Sequence, residues 1–121
     1  MKLRITAGST SLLAELRDTP TTRLLMEALP FDAQAQTWGD EVYFGTPVKA
    51  KLEADAQQVV PPGTVCFWTE GNALALPFGR TPISTDERPK LANPCNVLGT
   101  IKDFSGLKAV KSGQKLRVEK A

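Results

Sequence analysis

The chain has 121 residues, 41% of them apolar and 23% charged, enough for one domain with a core and too few for two of ordinary size. No run approaches the roughly 18 unbroken apolar residues of a membrane-spanning helix, and a formal charge of +2 is too small to draw in polyanions at long range. There is no histidine, which removes Ser-His-Asp and Cys-His catalysis, imidazole metal sites and histidine pH switches.

In chain order, Leu3 and Ile5 alternate with Lys2, Arg4 and Thr6. After Ala7-Gly8-Ser9, residues Leu12, Ala14 and Leu16 alternate with Glu15 and Arg17, and the two runs predict a β-hairpin. Thr19 then offers a helix N-cap and Pro20 suits the first helical position, where its missing N–H costs nothing. Leu24, Leu25, Ala28 and Leu29 form the apolar stripe of that helix, and Pro30 ends it. From Phe31 onward short strands are expected at 33–38, 41–44, 64–69, 73–78, 96–102 and 114–119, with reversals at Pro61-Pro62-Gly63 and Glu70-Gly71-Asn72. Many short strands with one early helix predict a mainly β fold over 1–121, a single domain built as a closed β-barrel of about eight strands with one or two short helices.

The N-terminus reads as a strand rather than a signal peptide. The two cysteines, Cys66 and Cys95, are expected to be reduced, buried thiols of a cytoplasmic protein. Two thiols without imidazole do not make a tetrahedral zinc site, so no metal or other cofactor is expected. No glycine-rich turn has the spacing of a phosphate loop. Residues 88 to 121 carry 8 basic and 2 acidic side chains. Lys108, Lys111, Lys115, Arg117 and Lys120 offer an acidic partner a basic face, but without interleaved aromatics they do not point to nucleic acid.

Asp40-Glu41 and Asp86-Glu87 are the acidic doublets. Neighbours on a strand face opposite ways, so Asp40 and Glu41 make no catalytic dyad and read as a turn carboxylate and a strand-edge carboxylate. Trp38, Tyr43, Phe44, Phe67, Trp68 and Phe78 fall in three central segments, with Arg80 close by. Any one of these rings can fill a barrel. Together with the arginine they also suit an apolar pocket holding one polar anchor.

Trp38-Gly39-Asp40-Glu41-Val42-Tyr43-Phe44, Gly63-Thr64-Val65, the run from Ala73 through Pro77-Phe78-Gly79-Arg80-Thr81-Pro82 to Ser84, and Asn93-Pro94-Cys95-Asn96-Val97-Leu98-Gly99-Thr100-Ile101 resemble, in order, the small prokaryotic cyclophilin-like proteins of unknown function. The resemblance covers nearly the whole chain and implies a cyclophilin-type barrel. True cyclophilins are peptidyl-prolyl isomerases that present an arginine in a Phe-His-Arg strand motif followed by Gln-Gly-Gly. Neither motif occurs here, and the comparable strand, Asp40 to Phe44, is acidic. Pro77 and Thr69 also depart from the family pattern beside the expected pocket.

The expectation is therefore a binding domain that holds a small molecule or peptide segment in a cleft lined by Trp38, Tyr43, Trp68, Phe78 and Arg80, with no catalytic residues assigned. One alternative is a weak prolyl isomerase using Arg80, which would donate to the prolyl nitrogen and weaken amide resonance. The other is a partner-binding module using the basic C-terminal face.

Overall fold

The computed structural model describes residues 1–121. Its strands are β1 (Lys2–Ala7), β2 (Thr10–Leu16), β3 (Phe31–Gln34), β4 (Gln36–Thr37), β5 (Glu41–Gly45), β6 (Gln57–Val59), β7 (Thr64–Trp68), β8 (Ala73–Pro77), β9 (Lys90–Ile101) and β10 (Lys115–Lys120). Helix α1 (Pro20–Ala28) follows β2, and a short 3-10 helix (Ser105–Ala109) precedes β10. No helix is long and apolar enough to cross a membrane.

The helix begins as the sequence indicates: the Thr19 side chain accepts a hydrogen bond from the Thr22 N–H at 3.0 Å, and Pro20 occupies the first turn. Of the expected stripe, Leu25 is buried and Ala28 and Leu29 pack against the main core, and only Leu24 departs from it. Thr21, Thr22 and Leu25 are buried, while Leu24 lies 42% exposed.

All strand pairs are antiparallel, in the order β3-β10-β1-β2-β9-β7-β8-β5-β4, with β6 added on β9. Ten strands replace the expected eight or so, and hydrogen bonds do not close the sheet. The extra strands are β4 and β6, of two and three residues, too short for period-2 alternation to register.

The stretch expected as one strand at 33–38 is divided at Ala35. There the chain leaves β10, where the Ala35 N–H donates to the Gln114 carbonyl at 2.8 Å, and crosses to pair Gln36 and Thr37 with Tyr43 and Val42. The two ends of the sheet, β3 and β4, are thus joined by the covalent chain through one fully buried residue, and share no ladder.

Strand β9 is longer than the expected 96–102 because its first half, from Lys90 to Cys95, pairs with β6, and its second half carries a bulge opposite β7. Val65 faces Gly99 and Cys66 faces Val97, leaving Leu98 as the extra residue. The Leu98 carbonyl is not stranded, for it accepts from the Arg17 N–H at 2.7 Å.

Strand alternation sorts side chains between two clusters. The main core holds Leu3, Ile5, Val42, Phe44, Val65, Phe67, Leu74, Leu76, Leu98 and Val118, among others. On the opposite face of β5, β8 and β7, the residues of opposite parity form a second, smaller cluster: Cys66 and Ala75, with Leu91 and Cys95 of β9 and Val60. Tyr43, Trp68 and Val97 pack against it.

Candidate functional site

The second cluster forms the floor of a half-open cavity of about 290 Å³. Strand β5 contributes Glu41 and Tyr43, two residues apart and therefore on one face. Across the ladder, β8 contributes Ala75 opposite Tyr43, and β7 contributes Trp68. Leu91, Ala92 and Cys95 of β9 form the far wall, and Trp38 closes the near side.

Each aromatic wall is held in place. Tyr43 and Trp68 meet edge to face, with centroids 6.5 Å apart and planes at 88°. The Trp68 indole N–H donates to the Asn93 Oδ1 at 3.1 Å. Gly71 lets the β7–β8 turn pass close to that indole, since a Cβ at Gly71 would come within 2.4 Å of the ring.

Trp38 is set by the turn between β4 and β5. Its N–H donates to the Glu41 carbonyl at 3.0 Å. Gly39, at φ +58°, provides the left-handed conformation this turn needs; a Cβ there would meet the Arg80 carbonyl at 2.9 Å.

Glu41 is the one charged side chain lining the cavity. It is 6% exposed, and its Oε1 is buried with no hydrogen-bond partner. Burial pushes its carboxyl up to about 7, because the charged form gives up hydration and gains nothing in return. Burial, helped by the Glu41 and Glu70 charges, likewise pushes the Cys95 thiol up to about 12. Cys66, shut in more completely and next to both Cys95 and Glu41, is raised well above the ordinary thiol range. Both thiols are free, buried and protonated at neutral pH. They act as small apolar side chains rather than as nucleophiles.

Of the residues expected in one cleft, Trp38, Tyr43 and Trp68 line this cavity. Phe78 and Arg80 do not. Phe78 sits past the end of β8 and packs against the main core. The Arg80 guanidinium is exposed, with the Ser84 carbonyl at 3.4 Å. Arg80 serves the site through its main chain: its carbonyl accepts from the Asp40 N–H at 2.9 Å and braces the turn that carries Trp38. Phe78 continues the parity of Leu74 and Leu76 and so turns to the main core, away from the cavity.

Glu41 is also not the strand-edge carboxylate that was expected. Asp40 is exposed, its carboxylate lying against Gly79, while Glu41 is enclosed. The signal was present in the sequence, since Glu41 shares parity with Tyr43.

On the C-terminal face, Lys108, Lys111, Lys115, Arg117 and Lys120 are all exposed. Arg117 is neutralised there by Asp32 at 3.1 Å and Glu119 at 3.3 Å.

A family model described as Cyclophilin-like matches residues 1–119. The chain is also similar, at 41% identity and a TM-score of 0.87, to a hypothetical protein of Archaeoglobus fulgidus whose solution structure is known; the match covers 100% of this chain and 95% of that one. No curated protein matches the chain.

Proposed function

The chain belongs to the cyclophilin-like family, and within that fold we propose that it binds a small molecule or peptide side chain in the cavity between β5, β7 and β9. Trp38, Tyr43 and Trp68 supply the walls and Glu41 the polar anchor. The observation that carries this reading is the buried carboxyl oxygen of Glu41, without a partner, at an aromatic-walled opening. An unpaired buried carboxyl lowers stability, and strongly shifted groups concentrate where ligands or substrates are met. The cavity volume of about 290 Å³ lies at the lower end of ordinary ligand pockets and suits a compact ligand.

Catalysis by prolyl isomerisation through Arg80 draws no support from this geometry, since the guanidinium stands outside the cavity. A basic-face module has less support than the cavity, because Arg117 is already paired with carboxylates.

The test is a thermal-shift screen of metabolites and short peptides against the whole chain. A ligand present at about 100 times its Kd adds ~2.7 kcal/mol, on the order of 10 °C in Tm for a domain of this size. Such shifts are expected to vanish in Trp68→Ala and Tyr43→Ala. Shifts that survive in both variants would place the ligand elsewhere and overturn the reading.

A further inference from the structure

We propose that the cavity is a receptor for an N-methylated ammonium group, whose positive charge pairs with the Glu41 carboxylate while its methyl groups lie against Tyr43, Trp38 and Trp68. The proposal rests on the reading of this cavity as a ligand site and names the chemistry of its occupant.

Charge decides the sign of the ligand. Glu41 is the only ionisable carboxyl lining the cavity, and neither lysine nor arginine lines it. The titratable groups facing Glu41 are Cys66 from β7, Cys95 from β9 and Tyr43 from its own strand. None of them is a cation. β8 presents Ala75, and the preceding turn presents Trp38. An anion would meet an unopposed carboxylate in a poorly hydrated space, whereas a cation would supply the partner that the Oε1 lacks.

The walls decide the kind of cation. Seven of the eight lining residues are hydrophobic, and the nearby amide oxygen of Asn93 is already engaged by the Trp68 indole. A primary ammonium has three donors and is strongly hydrated, so it would leave donors unsatisfied here. Methyl groups replace those donors with apolar surface, and a quaternary ammonium is attracted to the negative faces of aromatic rings. A divalent metal does not suit the donor set. No group of three or more Cys, Asp or Glu side chains converges anywhere in the fold, and the two nearby thiols are held protonated.

The same chemistry occurs in free cholines and betaine-like amines and in the side chain of trimethyl-lysine, so the test separates these sources. The full chain is titrated with choline, with its uncharged carbon isostere 3,3-dimethylbutan-1-ol, and with a short peptide carrying trimethyl-lysine, and binding is followed by tryptophan fluorescence and calorimetry. Choline or the peptide is expected to bind at least about tenfold more tightly than the isostere, given the added attraction of a desolvated cation to aromatic faces. Whichever of the two binds more tightly identifies the source. Glu41→Gln removes the carboxylate and keeps the rings, and is expected to weaken cation binding at least about tenfold, with a much smaller effect on the isostere.

The wild-type protein provides a second measurement that needs no variant. With the Glu41 carboxyl titrating at about 7, cation affinity is expected to fall at least about tenfold between pH 8 and pH 5 as the carboxylate is protonated, while isostere affinity changes much less. Equal affinity for choline, peptide and isostere, or cation binding that is unchanged in Glu41→Gln and flat with pH, overturns the charge recognition yet leaves the cavity as a ligand site. If neither cation nor isostere binds, while other compounds give shifts that depend on Trp68, the inference fails alone. If no compound of any charge depends on Trp68, both readings fail.

Discussion

Glu41 makes stability depend on pH in a direction opposite to that of an ordinary paired carboxylate. Its carboxyl is raised from 4.5 to about 7 by burial, so the folded protein holds this proton more tightly than the unfolded chain. The stability linked to it is complete below the unfolded value of 4.5 and is lost as pH rises through 7. At about 1.36 kcal/mol for each pKa unit, ionised Glu41 lowers stability at pH 8 by roughly 3 kcal/mol, and about 2.5 kcal/mol of this develops between pH 5 and pH 8. Glu41→Gln keeps the shape and cannot ionise. Its buried amide shifts the whole stability curve by about 1–3 kcal/mol, but that offset does not vary with pH. The assay is urea denaturation of both proteins at pH 5, 6, 7 and 8. The window avoids the acid range, where Asp18, Asp86 and Asp103, held low mainly by hydrogen bonds from Arg23, Arg88 and Ser105, take up protons in both proteins. Unfolded cysteines begin to ionise toward pH 8, but they do so in both proteins and cancel in the comparison. Wild type is expected to lose about 2.5 kcal/mol relative to the variant across the series. Two parallel curves would mean that Glu41 titrates as an exposed carboxylate does, and the argument from burial would be wrong.

Two further outcomes follow from packing. Asn96 is fully buried; its Oδ1 accepts from the Glu53 N–H at 2.7 Å, and its Nδ2 donates to the Lys51 carbonyl at 2.9 Å and the Thr21 hydroxyl at 3.0 Å. Asn96→Ala is expected to cost about 2–3 kcal/mol and to speed hydrogen exchange at the Glu53 amide; a loss well under 1 kcal/mol with that amide still protected would refute this role for the Asn96 hydrogen bonds. A Cβ on Gly99 would lie 1.9 Å from the Glu15 carbonyl oxygen, whereas one on Gly45 meets nothing within 4 Å. Gly99→Ala is therefore expected to cost at least about 3 kcal/mol and Gly45→Ala to be neutral or to stabilise by about 0.5 kcal/mol, and similar denaturation midpoints for the two would contradict the close β2–β9 approach.

Local signals account for the parts of the fold that could be read in advance. The Thr19-Pro20 start of α1 and the β1–β2 hairpin depend on neighbours in sequence, and both occur. The division at Ala35 was not legible, because Gln34, Gln36 and Thr37 show no change of pattern where the chain transfers from β10 to β5. That transfer is a choice of hydrogen-bond partner made far away in sequence. The bulge at Leu98 was hidden for the same reason: an apolar residue in an apolar run gives no sign of being unpaired. Within the site, ring type was informative for Trp38, Tyr43 and Trp68. Proximity misled for Arg80, whose main chain braces the site while its charge faces away. Glu41 reads from the sequence as a strand-edge carboxylate because an acid in a strand is usually solvated, and only its parity with Tyr43 indicates otherwise.

The position of the cavity explains how this fold can carry an unpaired acid. The main core, from Leu3 to Val118, holds the sheet together on one face, while Glu41, Tyr43, Cys66, Trp68 and Ala75 occupy the other face of β5, β8 and β7. Strand parity separates the two sets completely along these strands. Changes at Glu41 or Trp68 therefore leave the larger packed layer of Phe44, Phe67, Leu74 and Leu76 in place, and the roughly 3 kcal/mol lost at Glu41 at pH 8 is a cost that a domain with the common 5–15 kcal/mol of stability can carry. A cation that pairs with the carboxylate would offset that loss, so occupancy of the cavity and the gain in thermal stability on adding ligand should rise together as pH increases from 6 to 8, while the stability of the free protein falls.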